Sequence, residues 1–166
     1  MALENPSQFE MPIAIMELSL PHTWDHIRRI RKDVGEMLKD SAPSLRSAAM
    51  MVTSELVENA IKYGEDVPAA TQISLSVKCD PEQLRISVSN GSTDRAGIVE
   101  LERRIDEIMR ATDRSTLYLA RLEELLAEPT ESGKLGLYRI AFEGEFDLLF
   151  SYADNVVTIT ATRTCE

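Results

Sequence analysis

Cysteine, aromatic residues and positive charge are all scarce in this chain of 166 residues. The two cysteines, Cys79 and Cys165, lie far apart in the sequence and outside any CxxC or Cys/His spacing, which predicts neither a zinc site nor a disulfide framework. Lys and Arg number 18 against 28 Asp and Glu, and the net charge of −10 disfavours binding to nucleic acid or anionic lipid. No uncharged run approaches the roughly 20 residues of a spanning helix, and the N-terminus lacks the basic start of a signal peptide. These absences predict a cytoplasmic protein that binds neither nucleic acid nor membrane.

The apolar patterns that are present fit one domain, residues 11–166, after about ten polar residues (1–10) that we expect to be disordered. Their order is a strand, two helices, two strands, two helices, a short helix and two strands. Strands in adjacent pairs favour antiparallel pairing, and their alternation predicts one face covered by helices and one face in water. The predicted fold is α/β, more narrowly α+β: a two-layer sandwich with a mixed, mostly antiparallel sheet and helices on one face.

Two local details of this pattern can be tested directly. The first strand is predicted from the tight spacing of the apolar residues Ile13, Ile15 and Leu18. For the second helix, Ser44 is the predicted N-cap, and Gly64 is predicted to occupy the left-handed position just past the helix end.

The second helix carries a polar strip beside its core stripe. The core stripe consists of Leu45, Ala49, Val52, Leu56 and Ala60. Next to it, Glu55, Asn59 and Lys62 at spacings i, i+4 and i+7 place a carboxylate, an amide and an ammonium in line. Such a line can supply a general base, a ligand for a hard cation and a phosphate contact. The alternative is that all three are ordinary polar residues of a helix surface.

A pair of glycines, Gly133 and Gly136, stands immediately before another amphipathic helix. Glycine lets the backbone approach a ligand closely, and N–H groups at a helix start can bind phosphate. The alternative is a tight packing corner between a helix and a strand.

Together these segments resemble the GHKL superfamily of ATP-binding domains, which includes histidine kinases, DNA gyrase, Hsp90 and the anti-sigma serine kinases. The resemblance spans roughly residues 18–163, and its most specific part is ELVENAIKYG, which is similar to the N box of that superfamily. It implies a Bergerat-type fold that binds ATP and magnesium, with Glu55 as the base and Asn59 as the magnesium ligand. The other nucleotide contacts that it implies are Lys62, Tyr63, Gly133, Lys134, Gly136 and either Thr158 or Thr160 against the adenine.

The chain departs from the family at the adenine box. After the third strand the family has D-x-G-x-G, whose Asp accepts a hydrogen bond from the adenine amino group, whereas this chain has SNGST. Ser89 or Asn90 therefore takes the place of the aspartate, and the resemblance implies Asn90 and the following Gly91 as nucleotide contacts. A neutral acceptor such as Asn90 makes a hydrogen bond that is weaker than a charged one by ~1 kcal/mol. We therefore expect ATP binding to be weak or lost.

The region that covers ATP in the family is also unusual. In place of a flexible, glycine-bearing loop, residues about 97–128 read as two amphipathic helices, which we interpret as a helical lid. Their apolar stripes are buried either on their own domain or on a partner.

The class of protein follows from the size of the domain and from its histidines. Neither His22 nor His26 lies on a dimerising helix, as the phosphoacceptor of a histidine kinase would. The resemblance is therefore closest in type to the stand-alone anti-sigma or switch-protein serine kinases, and a homodimer is compatible with it. It implies a STAS-domain antagonist as partner, with a serine phosphatase or a sigma factor in the same pathway.

Three functions remain open at this point. The first is a cytosolic regulator of a bacterial partner-switching system, which acts by binding the antagonist. The second is an active kinase that uses Mg-ATP to phosphorylate the antagonist on Ser or Thr, and the third is an interaction module that needs no nucleotide.

Overall fold

Five antiparallel strands form one sheet in the computed structural model, which describes residues 13–127 and 135–165. The strands are β1 (Ala14–Leu20), β2 (Ile73–Cys79), β3 (Gln83–Gly91), β4 (Asp147–Ala153) and β5 (Val156–Thr164), in the spatial order β1-β2-β3-β5-β4. The helices of the described residues are a 3-10 turn (Trp24–His26), α1 (Ile27–Met37), α2 (Pro43–Tyr63), α3 (Arg95–Arg110), α4 (Arg114–Ala127) and α5 (Gly136–Phe142). The N-terminus predicted to be disordered, residues 1–10, lies outside the described residues.

Successive side chains of each strand alternate between a face buried under the helices and a wet face exposed to water. The buried face consists mainly of Ile73, Leu75, Val77, Leu84, Ile86, Val88, Val157, Ile159 and Ala161. On the wet face, hydroxyl pairs join β3 to β5: Ser87 Oγ lies 2.9 Å from Thr160 Oγ1, and Ser89 Oγ lies 2.7 Å from Thr158 Oγ1. Because helices cover one face alone, the predicted two-layer α+β sandwich is confirmed, and all of its strand pairs are antiparallel.

The first strand is present, but the side chains that it buries are not all those predicted. Met16, Leu18 and Leu20 face the core, whereas Ile13 and Ile15 are 62% and 59% exposed. The prediction combined residues at odd and even positions, and the side chains of these two sets point to opposite faces of a strand.

Both ends of α2 differ from the prediction. The N-cap is Ala42, whose side chain makes no cap, and Pro43 opens the helix with Ser44 in its first turn. Proline suits this position because the first helical N–H has no partner within the helix. Gly64 at the other end is extended, with φ −76° and ψ 151°, rather than left-handed. A glycine is still required there, because a Cβ would lie 2.3 Å from the carbonyl oxygen of Ala60.

The predicted lid region, about 97–128, corresponds to most of α3 and to α4. Ile98, Ile105, Ile108 and Tyr118 are buried in the domain's own core. Leu126 remains 83% exposed. Burial on the same domain therefore accounts for the inner stripes of both helices. No helix in the described part of the chain is both long and apolar enough to cross a bilayer.

Candidate functional site

A cavity of about 510 Å3 lies between α2, α3 and the inner face of the sheet. Its floor is apolar and includes Val88, Val157 and Ile159, while Asn59 and Asn90 stand among the polar residues of its walls. The volume falls within the range of small-molecule sites, and so does the combination of an apolar floor with a few polar groups.

The polar strip of α2 connects this cavity to a smaller one of about 190 Å3. Asn59 and Lys62 line both cavities, whereas Glu55 lines the smaller one together with Gly136 and Arg139. The strip occupies this place because Leu56 and Ala60, which lie beside it on the helix, are buried against the core.

Gly136 brings the start of α5 into contact with the strip. A Cβ at this buried glycine would lie 2.5 Å from Glu55 Oε2 and 3.8 Å from Asn59 Nδ2. Gly136 and the polar strip of α2 therefore lie on the same side of the domain. The absence of a side chain at Gly136 leaves the space that the Glu55 carboxylate needs.

Glu55 is a half-buried carboxylate within a small charged network. Arg139 Nη1 donates to Glu55 Oε1 at 2.5 Å, and Arg139 Nε donates to Glu143 Oε2 at 3.1 Å. Burial raises the pKa of Glu55 above its ordinary value, Arg139 opposes that rise, and the neighbouring Glu58 adds to it. The hydroxyl of Tyr118 and the guanidinium of Arg139 lower the pKa of Glu143.

Asn90, rather than Ser89, is the residue of the altered adenine box that reaches the cavity. Asn90 lines the cavity, while Ser89 lies on the wet face against Thr158. The Nδ2 of Asn90 donates to the carbonyl oxygen of Gly91 at 3.0 Å, which directs Oδ1 away from that carbonyl. Asn90 can therefore offer Oδ1 to a hydrogen-bond donor on a ligand.

Two of the predicted nucleotide contacts, Thr160 and Gly91, line neither cavity. Thr160 lies on the wet face, where its hydroxyl pairs with Ser87, and its neighbours Val157 and Ile159 line the cavity instead. Alternation along β5 is the reason, because adjacent residues of a strand point to opposite faces. Gly91 packs against the backbone instead: a Cβ there would lie 2.4 Å from the carbonyl oxygen of Glu65.

The other predicted contacts fall in two groups. Lys62 and Tyr63 are exposed residues that line the larger cavity, and Lys62 Nζ lies 6.0 Å from the centre of the Trp24 ring. Gly133 and Lys134 lie outside the described residues.

Sequence reasoning missed two cationic residues of the site, Arg139 and Arg104. Arg104 on α3 lines the larger cavity, has a side chain 12% exposed, and pairs with Glu100 at 2.9 Å. Arg139 follows Gly136 by three residues, a helical spacing that could have placed it on the same side of α5. No comparable pattern marks Arg104 as a residue of the cavity.

The oxygen atoms that the site offers fit magnesium only if phosphate oxygens also coordinate the ion. Within residues 13–127 and 135–165 there is no group of three His, Cys, Asp or Glu residues able to hold a metal. Magnesium commonly takes one or two protein oxygens and completes its octahedron with water and substrate phosphates. Asn59, at the junction of the two cavities, can supply one such oxygen.

Comparisons with known proteins bear on the fold. No family model and no curated protein matches the sequence. The structure is similar to the crystal structure of the RsbU and RsbW domains of Rv1364c from Mycobacterium tuberculosis, with a TM-score of 0.52 and 17% sequence identity. The match covers 90% of this chain and 32% of that one, so this chain spans about a third of the length of that protein. At this identity the likeness establishes the α+β fold alone.

Proposed function

We propose that the protein is a cytosolic regulator of the partner-switching type, which binds an antagonist protein and holds an adenine nucleotide weakly. The observation that carries the proposal is the larger cavity, whose walls include Asn59 and Lys62 from α2 and Asn90 from β3. The Asn90 amide, beside the apolar floor, suits the base of a nucleotide. The Asn59 amide and the Lys62 ammonium on α2 suit its phosphates.

Different residues of the cavity bind different parts of the nucleotide. The apolar side chains of Val88, Val157 and Ile159 provide a surface for a purine ring. Asn90 Oδ1 accepts from the exocyclic amino group, and Lys62 attracts the phosphates. Asn59 supplies an oxygen to the magnesium that accompanies them, and this ion neutralises phosphate charge when it is bound.

The partner is proposed from the fold and from the resemblance of the motifs. The similar structure contains an RsbW domain, and the motif ELVENAIKYG is similar to the N box of the anti-sigma kinases. We therefore place a STAS-domain antagonist first among the partners, and a sigma factor or a serine phosphatase second. The exposed apolar residues Val99, Leu119 and Leu126 on α3 and α4 offer contact surface for it.

An active serine kinase is the second candidate, and the position of Glu55 favours it. This carboxylate lines the smaller cavity next to Asn59, and its raised pKa brings it closer to the working range of a general base. In this function Glu55 accepts the proton of a Ser or Thr hydroxyl on the antagonist, while Asn59 and Lys62 orient the phosphates. Asn90 in place of an aspartate favours the third candidate, a module that needs no nucleotide.

Calorimetry with Mg-ATP and with a purified STAS-domain protein of the same organism separates these functions. The proposal expects the antagonist to bind and Mg-ATP to bind weakly. Transfer of the terminal phosphate to the antagonist would establish the kinase, and antagonist binding without nucleotide binding would establish the module. Failure to bind any STAS-domain protein would contradict the proposal.

Substitution of Asn90 by Asp is expected to strengthen ATP binding by about tenfold, which corresponds to about 1.4 kcal/mol. The new carboxylate would accept a charge-assisted hydrogen bond from the adenine amino group. Ser89→Asp is the matched control, because Ser89 lies on the opposite face of the sheet and should give no gain. Titration calorimetry of both variants measures the difference, and equal affinities would exclude Asn90 as a base contact.

A further inference from the structure

Arg139 joins two carboxylates that lie on different helices. It donates to Glu55 of α2 at 2.5 Å and to Glu143 just after α5 at 3.1 Å, and Tyr118 of α4 donates to Glu143 at 2.7 Å. The side chain of Arg139 is 36% exposed and that of Glu55 is 18% exposed. The guanidinium is thus held on both sides at the wall of the smaller cavity.

The two oxygens of Glu55 have different surroundings. Oε1 accepts the hydrogen bond from Arg139, whereas Oε2 is the oxygen nearest to the vacant Cβ position of Gly136, at 2.5 Å. Because Glu55, Gly136 and Arg139 all line the smaller cavity, this arrangement distinguishes one carboxylate oxygen from the other.

We propose that Arg139 is a positioning residue for Glu55: it holds the carboxylate through Oε1 and leaves Oε2 on the side of Gly136. Glu143, itself held by Tyr118, fixes the guanidinium in turn. The use of Glu55 in phosphoryl transfer rests on the proposed function, whereas its placement by Arg139 does not.

The charges around Glu55 explain why an arginine is needed. Glu58 and Lys62 face it from α2, Arg139 from α5 and Glu143 from the end of α5. Burial and the two neighbouring carboxylates favour the protonated form, and Arg139 is the strongest influence in the other direction. Arg139 therefore also favours the ionised form of Glu55, the form that a proton acceptor requires.

The test is a 13C NMR titration of the glutamate carboxyls in the full chain without nucleotide or partner, with Glu55 assigned through E55Q. In R139M we expect the pKa of Glu55 to rise by about one unit or more, because a close opposite charge typically lowers a carboxyl pKa by about 1–3 units. R139K should restore part of the difference, since lysine keeps the charge but lacks the planar fork. R139Q provides a second neutral variant if R139M folds poorly.

R114M is the matched control for the loss of an arginine. Arg114 pairs with Asp147 at 2.6 Å, its side chain is 29% exposed, and neither residue lines the two cavities. We expect it to leave the pKa of Glu55 unchanged. An unchanged Glu55 pKa in folded R139M or R139Q would overturn the proposal and leave Arg139 a purely structural role. Failure of ATP and antagonist binding would instead contradict the proposed function and leave the titration result standing.

A separate observation concerns the two cysteines. Cys79 Sγ and Cys165 Sγ lie 4.0 Å apart although the residues are 86 positions apart in the chain. Cys79 ends β2, and Cys165 follows β5, where its N–H donates to the carbonyl oxygen of Glu82 at 2.9 Å. Both thiols are partly buried and lie near the carbonyl oxygen of Asp80. The fold therefore pairs two thiols whose sequence spacing predicts no disulfide framework.

We infer that Cys79 and Cys165 form a dithiol that closes to a disulfide by exchange with a low-molecular-weight disulfide. The Cys79 thiol loses its proton and attacks one sulfur of the reagent, which releases one small thiolate and leaves a mixed disulfide on Cys79. Cys165 then loses its proton and attacks the Cys79 sulfur, and the second small thiolate leaves; both thiolates take up the protons. Burial raises the pKa of the Cys165 thiol to about 11, which lowers its thiolate fraction and suits it to the second step, where the Cys79 sulfur is already adjacent.

Incubation of the full chain with oxidised glutathione tests this inference. We expect both thiols to disappear from a thiol titration, the protein to stay at the mass of a single chain, and the melting temperature to rise. The rise follows because a cross-link between distant residues restricts the unfolded chain. C79S and C165S are the controls and should form only a mixed disulfide with glutathione, with no rise. Two titratable thiols after oxidation, or a covalent dimer in place of the internal bond, would overturn it.

Discussion

Replacement of Asn59 by alanine is expected to weaken Mg-ATP binding by roughly a hundredfold, equivalent to about 2.7 kcal/mol. Asn59 lines both cavities, so its amide stands where a magnesium ion and the phosphates would meet. Loss of the amide removes the proposed metal ligand, and alanine offers no replacement. Because the affinity of the natural chain is expected to be low, calorimetry should be performed in the Asn90→Asp background.

Gln72→Ala is the matched control for the loss of an amide. Gln72 is exposed and lies outside both cavities, so its removal should leave nucleotide binding unchanged. Unchanged binding by the Asn59→Ala variant would show that Asn59 is not part of the nucleotide site. The reason to place magnesium on α2 would then also be lost.

The Gly91→Ala variant is expected to lose about 3 kcal/mol of unfolding free energy. A Cβ at this buried position would lie 2.4 Å from the carbonyl oxygen of Glu65 and 2.5 Å from Val67 Cγ2. Glu65 cannot retreat without cost, because its N–H donates to the carbonyl oxygen of Gly91 at 2.8 Å. Urea denaturation measures the change.

Gly35→Ala is the comparison that separates backbone clash from the general effect of adding a methyl group. At Gly35 the nearest atom to a new Cβ is Met50 Sδ at 2.9 Å, near the end of a flexible side chain. Alanine also favours the helical backbone of α1 by up to about 1 kcal/mol, so we expect little net change. If both variants were equally stable, the segment that follows α2 would be free to shift, and Gly91 would have no packing role.

The residues of α2 were predictable because they depend on local periodicity. The burial of Leu56 and Ala60 and the flanking position of Glu55 and Asn59 follow from a repeat of 3.6 residues, which any helix imposes. The misplacement of Thr160 was avoidable for a similar reason. Its strand alternates apolar and hydroxyl residues, and that period of two already places Thr160 on the face opposite the core.

Residue details that depend on packing against another element were not predictable. Gly64 was read as a left-handed helix end, yet its backbone is extended, and a Cβ there would meet Asn90 of β3 at 3.2 Å as well as the helix's own Ala60 carbonyl. The choice between Ser89 and Asn90 likewise depended on which face of β3 meets the cavity.

The order of strands and helices, the two-layer architecture and the polar strip of α2 follow from the sequence alone, because hydrophobic periodicity acts over a few residues at a time. Contacts between distant segments depended on the tertiary structure. Strand order and helix packing bring Arg139 to Glu55 and Cys165 to Cys79, pairs that are 84 and 86 residues apart in the chain. No local spacing encodes such pairs, because their separation in space is set by the register of the whole sheet and by the helices packed on it.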